Sequence, residues 1–191
     1  MAQVGLKYIV AGKLNEENGA VTYSDGFLIG PAMKVDIKIN ASDATVYGDD
    51  VLQESDKSFT DGTISMGVTH MVDDAQSKLL GHTKGENGEI ISNSGDVAPY
   101  VGVGFYSKKT VNNKVSYRAI FLRKVMFGEP SETYQTKDKQ ITYQTPTIEG
   151  AIGTDNNGDW KNEQTFQTEA EAIAYLNKKV GITERIKVEE K

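Results

Sequence analysis

Two stretches of the chain alternate strictly between apolar and polar residues. Residues 33–40 are apolar at every odd position and polar at every even one, and residues 63–69 repeat the pattern around Ile64, Met66 and Val68. A period of two is typical of a strand that buries one face and exposes the other. The sequence therefore predicts two amphipathic strands, and it assigns four side chains of the first strand to the core: Met33, Val35, Ile37 and Ile39.

Between these strands, residues 41–62 form a long and acidic connection. It is far longer than the two-residue turn that a hairpin needs. We expect a charged arm that reaches beyond the domain, because a connection of this length in a small domain commonly has a function. Its charged residues are six acids and one base: Asp43, Asp49, Asp50, Glu54, Asp56, Asp61 and Lys57.

The remaining short strands are predicted from local patterns. Residues 6–11 and 20–23 are expected to be strands, with a Ser-Asp-Gly turn at 24–26. A Thr-Tyr-Gln-Thr motif that occurs twice within residues 133–145 predicts a polar hairpin. Residues 150–163 are rich in turn-forming residues and are predicted to be a loop.

A long hairpin is predicted over residues 101–127, with its loop at 108–113. The apolar run 119–122 on the returning strand indicates burial on both faces. Gly102 and Gly104 indicate either that another part of the chain approaches this backbone closely or that the strand bends here.

Two helices are predicted from their capping signals. The C-terminal helix begins with a capping box formed by Thr168 and Glu171 and ends at Gly181. A shorter helix at 75–80 follows the acid pair 73–74, which supplies candidate N-cap residues.

Together these elements predict a mainly β domain of the α+β type. The strands are expected to be antiparallel, with one good helix packed against them and one short helix elsewhere. At 191 residues the chain is long enough for one domain with a full core. We assign residues 1–181 to a single domain and residues 182–191 to a charged C-terminal tail.

Composition and charge argue against several classes of protein. The net charge of −6 and the isoelectric point near 5.0 speak against a basic nucleic-acid-binding surface. The chain has no cysteine, so disulfides, thiolate metal sites and a cysteine nucleophile are excluded. Neither a secretory signal nor a membrane-spanning apolar stretch is visible, and we expect the protein in a cytoplasm, away from membranes.

No motif for catalysis or cofactor binding emerges. His70 and His82 are expected in packing or capping roles rather than as a catalytic pair. Residues 155–159 begin like a calcium loop, but Trp160 stands where that loop needs glycine and Phe166 where it needs glutamate. We therefore expect no enzyme activity, no cofactor and no metal site.

The distribution of charge allows two interpretations. The arm carries six acids, whereas residues 108–124 carry six bases and no acid. Either these are unrelated solvated surfaces, or the acidic arm of one copy meets a basic surface of another and sets the register of assembly. Sheet edges that pair between subunits would complete such a contact. Under the second interpretation the basic partner surface comprises Lys108, Lys109, Lys114 and Arg118.

Several motifs also occur in an order that resembles one known family. They are TVYGDD at 45–50, DKSFTDGTI at 56–64, DD at 73–74 followed by LLGH at 79–82, VGVGFY at 101–106, the strand at 117–124 and the polar hairpin up to Thr147. In this order, and over residues 4–181, the chain resembles the major tail protein, or tail tube protein, of bacteriophages with long non-contractile tails.

This resemblance implies a structural virion protein with a β-sandwich-like or barrel-like tail tube fold. Six copies would form a ring in which inner strands join into one barrel. Rings would stack into a tube that conducts DNA during ejection without binding it specifically. The partners would be further copies of the chain and the tape measure, distal tail and terminator proteins, in the virion tail and, during assembly, in the host cytoplasm.

In that family a long loop between two inner strands bridges to the neighbouring ring. Residues 41–62 occupy the matching place, so the resemblance implies a ring-to-ring contact made by Asp49, Asp50, Glu54, Asp56 and Lys57.

Two other interpretations stay open. The chain could build the tube of a phage-derived bacteriocin particle, which the sequence does not distinguish from a phage tail. It could instead be a monomeric β-sandwich binding module for carbohydrate or protein, although its nine tyrosines and single tryptophan do not cluster as that class requires.

Overall fold

The computed structural model describes residues 2–48, 51–111, 114–133 and 145–182. Within these ranges the chain folds mainly into antiparallel β-strands with two helices, so the predicted fold class is confirmed. The strands are β1 (Ala2–Glu17), β2 (Ala20–Gly30), β3 (Ala32–Gly48), β4 (Val51–Val68), β5 (Thr83–Lys84), β6 (Ile90–Ile91), β7 (Val101–Val111), β8 (Lys114–Phe127), β9 (Thr147–Gly153) and β10 (Lys161–Phe166). The helices are α1 (Asp73–Leu80) and α2 (Glu169–Val180).

Eight of the strands belong to one antiparallel sheet. Their order is β2-β1-β7-β8-β9-β4-β3, and β10 pairs with a further part of β8. The chain passes directly from one end of this order to the other, because β2 ends at Gly30 and β3 begins at Ala32. Here the Val72 N–H donates to the Ile29 carbonyl at 3.1 Å and the Thr69 N–H to the Pro31 carbonyl at 3.1 Å. The sheet therefore curls into a sandwich-like structure.

The curled sheet buries apolar residues on both of its faces. The larger core cluster lies inside the curl and contains Ile64, Met66 and Val68, as the alternation of β4 predicts. The smaller one lies under α2, where Leu176 and Val180 pack beside Phe121 of β8. Residues 119–122 of β8 alternate between these two clusters, so the prediction that this run is covered on both faces is confirmed.

Two glycines on β7 make room for the second cluster. A Cβ atom at Gly102 would lie 2.5 Å from Phe121 Cζ and 2.5 Å from Tyr23 Cε1. At Gly104 a Cβ atom would lie 2.8 Å from Leu176 Cδ2. The close approach predicted at both positions is confirmed, and it lets side chains pack directly on the backbone of β7.

The caps of α2 are those that the sequence predicts. The Glu171 N–H donates to Thr168 Oγ1 at 3.3 Å, and the Thr168 N–H donates to the Glu171 carboxylate at 3.1 Å. The C-cap, Gly181, is left-handed with φ of 76°. For α1 the prediction was wrong in one respect. Its N-cap is Val72, and the acid pair 73–74 occupies the first turn, where the helix dipole favours negative charge.

Several predicted loops are wrong because the strands continue through them. β2 runs through the predicted turn at 24–26, where Asp25 adopts φ of 51°, a conformation that aspartate tolerates. β7 extends to Val111, and the predicted loop at 150–163 contains most of β9 and the start of β10. Most of the predicted polar hairpin (134–144) and of the charged tail (183–191) lies outside the described residues.

Candidate assembly surfaces

The predicted arm is a long β-ribbon rather than a loop. β3 and β4 pair from Ala32 opposite Val68 out to Gly48 opposite Val51. β9 pairs with β4 only from Gly62 to Gly67, so within the described residues 40–61 the two strands of the ribbon pair only with each other. At a rise of about 3.3 Å per residue, the segment from 40 to 48 extends about 30 Å.

Side-chain contacts stabilise the ribbon where it leaves the body of the sheet. The register of β3 and β4 shifts between Asn40 and Ala41, which places Phe59 opposite Ala41. The Phe59 ring stacks on Trp160, with 4.6 Å between ring centroids and an interplanar angle of 2°. Both rings pack against the larger core cluster. The hydroxyls of Ser42 and Ser58 lie 2.8 Å apart across the two strands.

The structure places three of the five predicted ring-to-ring residues on this ribbon. Glu54 and Asp56 are on β4, paired with Val46 and Ala44, and Lys57 is exposed and paired with Asp43. Asp49 and Asp50 lie outside the described residues. The contact itself stays a prediction.

The bases of the β7–β8 hairpin divide into two groups. Lys108 and Lys114 are exposed near the end of the hairpin, and Lys109 is half-buried. Arg118, in contrast, forms an ion pair with Glu163 of β10. Lys124 Nζ lies 2.7 Å from Glu16 of β1. The basic partner surface stays a prediction, and the ion pair with Glu163 within the chain lowers the net charge that Arg118 adds to it.

Arg123 fixes the loop that begins like a calcium site. Its Nε lies 2.5 Å from Asp155 Oδ2, and its Nη1 lies 2.7 Å from Asp159 Oδ2. Asp155 Oδ1 accepts the backbone N–H groups of Asn157 at 2.9 Å and Asp159 at 3.0 Å. Asp155 Oδ1 thus accepts hydrogen bonds and Oδ2 pairs with an arginine within the chain, and the Gly158 N–H donates to the Asp155 carbonyl at 2.9 Å to form a turn.

In the part of the chain that the structure describes, both ends of the sheet are open strand edges. Within the described residues, β2 pairs only with β1 and β3 only with β4. The prediction that β3 buries its whole apolar face is wrong: Val35 and Ile37 pack against the core, but Met33 is 53% and Ile39 40% exposed. Met33 lies at a bulge, and Ile39 lies where the ribbon leaves the body of the sheet. Unpaired edges with exposed apolar residues favour strand pairing between chains.

A buried histidine joins three parts of the chain beside α1. His82 Nδ1 lies 2.7 Å from Asp96 Oδ2, and Nε2 lies 3.0 Å from Glu129 Oε1. The Asn93 N–H donates to Asp96 at 2.8 Å, and this bond together with the His82 bond lowers the pKa of the Asp96 carboxyl. His82 is thus buried between two carboxylates, whereas His70 is exposed, and the packing or capping role expected of both histidines stays a prediction. No spacing in the sequence indicates the three-residue contact.

A groove of about 920 Å³ lies beside the N-terminal end of α2. Its apolar walls include Leu6, Leu28 and Ile173, and Tyr106 donates a hydrogen bond to Glu169 at its rim. Burial and this carboxylate raise the pKa of the Tyr106 hydroxyl. The volume is within the range of small-molecule sites.

No model of a protein family matches the chain, and no curated protein sequence matches it. Neither helix in the described ranges is long and apolar enough to cross a membrane. The same ranges contain no cluster of three or more acidic or histidine side chains that could share a metal ion.

Proposed function

We propose that this chain is a structural subunit that assembles with copies of itself into a tube, like the major tail proteins of long non-contractile phage tails. One observation carries the proposal: among the described residues the edge strands β2 and β3 of the curled sheet each lack a second partner, and the ribbon of β3 and β4 continues for about 30 Å past the last pairing of β4 with β9. In a monomer, unpaired edge strands of this kind promote aggregation, whereas in an assembly they provide hydrogen bonds between subunits.

The two edges support lateral association. Strand β3 of one copy alongside β2 of the next is a head-to-tail contact, which closes into a ring when the rotation per subunit divides a full turn. The exposed apolar side chains of Met33 and Ile39 would be covered in this contact. Six subunits per ring is the number that the family resemblance implies.

The ribbon supports contact between rings. Over the described part of residues 40–61 its two strands pair with no other strand, and its acids, from Asp43 to Asp61, outnumber its single base. Complementary charge sets the register of such a contact more than its strength. In this proposal the acceptor is the exposed end of the β7–β8 hairpin, with Lys108, Lys109 and Lys114.

Charged substitutions at the edge test the lateral contact. Met33→Lys combined with Ile39→Lys should abolish assembly, because a charge on an edge strand blocks pairing with a second sheet. Val97→Lys is the matched control, since Val97 is 79% exposed and lies on neither edge. Sedimentation velocity and circular dichroism would follow assembly and fold. Equal assembly by the edge variant and the control would contradict the lateral contact.

Charge reversal of the ribbon tests stacking separately. Lysine in place of Asp49, Asp50 and Glu54 should leave rings that do not stack, with the subunit fold unchanged. A matched control reverses three acids elsewhere, namely Glu17, Glu86 and Glu89, which are exposed. Electron micrographs with normal tubes from the ribbon variant would refute the role given to the ribbon.

A monomeric binding module is the second candidate, and the groove beside α2 is the observation that favours it. It predicts a protein that stays monomeric at high concentration and binds a carbohydrate or peptide in that groove. Loss of ligand binding in Ile173→Lys would support this candidate, whereas assembly of the wild-type chain would exclude the monomer.

A further inference from the structure

A crevice between α2 and the sheet brings three cationic side chains together. Arg123 of β8 and Lys178 and Lys179 in the last turn of α2 line a space of about 570 Å³. This volume suits a small molecule. Aromatic rings form its floor and walls: Phe121, Tyr23 and Tyr175.

The charge of this crevice is only partly compensated. Asp155 and Asp159 hold the Arg123 guanidinium through Nε and Nη1, which fixes its orientation and leaves Nη2 outside both pairs. Among the described residues, neither lysine has a carboxylate within ion-pair distance, and none of the residues that line the space is acidic. Three cations are therefore accompanied by two carboxylates, both paired with the arginine and neither lining the space.

The pKa of Lys179 reflects the resulting positive potential. Its ammonium group lies 5.6 Å from the centroid of the Tyr175 ring and is half-buried. Burial, Arg123 and Lys178 together lower the pKa of Lys179, and Asp159 offsets only a part of this effect. Cations held this close without a counter-ion bind an anion favourably, because the anion relieves their mutual repulsion.

An unpartnered amide completes the lining. Asn162 of β10 lines the crevice, and its Oδ1 is buried without a hydrogen-bond partner. The two ends of an amide exchange by a flip of the side chain, so the unpartnered end can present N–H groups to a bound anion. A buried polar group without a partner is costly, and a ligand that bonds to it removes that cost.

We propose that this crevice binds a phosphate-type oxyanion, held by Lys178, Lys179 and the free Nη2 of Arg123, with Asn162 as a further donor. The aromatic walls suit an aryl or sugar group attached to the phosphate. The site lies on the α2 face of the sheet, away from the open edge of β3, and its lining includes Val21, Thr22 and Tyr23 of the edge strand β2.

Isothermal titration of dilute full-length protein at constant ionic strength tests this site, with inorganic phosphate as the first probe and phenyl phosphate as the second. We expect saturable binding of phosphate. Tighter binding of phenyl phosphate would assign the natural ligand to phosphate esters, and equal binding would assign it to free phosphate; both results support the site. A response that rises linearly without saturation would overturn it.

Neutral substitutions separate the site from a purely structural role. Lys178→Gln with Lys179→Gln should weaken phosphate binding at least tenfold, because two charge-assisted hydrogen bonds are lost. Lys13→Gln with Lys84→Gln is the control and should bind as the wild type does, since both lysines are exposed and neither lines the crevice. Lysines near a helix C-terminus also stabilise the helix itself. If the double variant has a lower melting temperature but an unchanged affinity for phosphate, Lys178 and Lys179 only stabilise the helix. This result would contradict the proposal.

Discussion

Replacement of Phe59 by alanine tests how the ribbon is held on the body of the domain. The Phe59 ring stacks on Trp160 at 4.6 Å and packs at the edge of the larger core cluster. Truncation of a fully buried phenylalanine costs about 3–5 kcal/mol. Phe59 is half-buried, so we expect a loss of about 2 kcal/mol, of which the aromatic pair contributes about 0.5–1.5 kcal/mol.

The assay uses a favourable property of the sequence, which contains a single tryptophan. Because Trp160 is the partner ring, Phe59→Ala should shift the native fluorescence emission to longer wavelength as water reaches the indole. A loss of about 2 kcal/mol in a domain of this size lowers the melting temperature by about 4–8 °C. Phe59→Leu is the matched control, since it keeps apolar area and loses only the stacking, and it should lose about half as much stability.

Two results would refute this reasoning. Unchanged emission in Phe59→Ala would mean that the two rings are not in contact in solution. A double-mutant cycle with Trp160→Ala that gives no coupling energy would mean that the contact does not stabilise the fold. If the contact between Phe59 and Trp160 fixes the orientation of the ribbon, Phe59→Ala should also impair the stacking of hexameric rings. The individual rings of subunits should still form.

Two further predictions concern ion pairs of the body. Asp155→Asn keeps the Oδ1 acceptor of the turn but removes the charge beside Arg123. The free energy of unfolding, measured in urea, should fall by about 2–3 kcal/mol, because Asp159 still compensates a part of the arginine charge. A decrease below about 0.5 kcal/mol would contradict a buried ion pair. Asp96 has a lowered pKa in the folded state, so its ionised form stabilises the fold above its unfolded pKa of about 3.9, and this contribution is lost as the pH falls through the folded pKa. The stability difference between wild type and Asp96→Asn should therefore shrink below about pH 4, and a difference that stays constant down to pH 2 would exclude this linkage.

Local patterns predicted the elements that local interactions stabilise. The capping box of Thr168 and Glu171 is formed by residues three positions apart, so its signal is complete within α2. Ile64, Met66 and Val68 are buried as their alternation predicts, because this face of β4 packs into the larger core cluster. Burial on both faces at 119–122 follows in the same way from a central strand.

Features that depend on distant partners were not predictable. The ribbon continues as paired strands because each strand supplies the hydrogen bonds of the other, although its sequence is polar and carries few strand-forming residues. Phe59 and Trp160 meet only once β4 and the loop before β10 are placed. Met33 belongs to a predicted core face, yet a bulge on an open edge leaves it exposed. Periodicity assigns a face to a side chain but does not say whether anything covers that face.

The most direct test of self-assembly is negative-stain electron microscopy of the concentrated pure protein, with sedimentation velocity on the same sample. Our account predicts rings, or tubes of uniform width, together with a fast-sedimenting species that the edge variant Met33→Lys with Ile39→Lys lacks. A single species with the mass of one 20.9 kDa chain at every concentration, and empty micrographs, would contradict assembly through the open edges of the sheet.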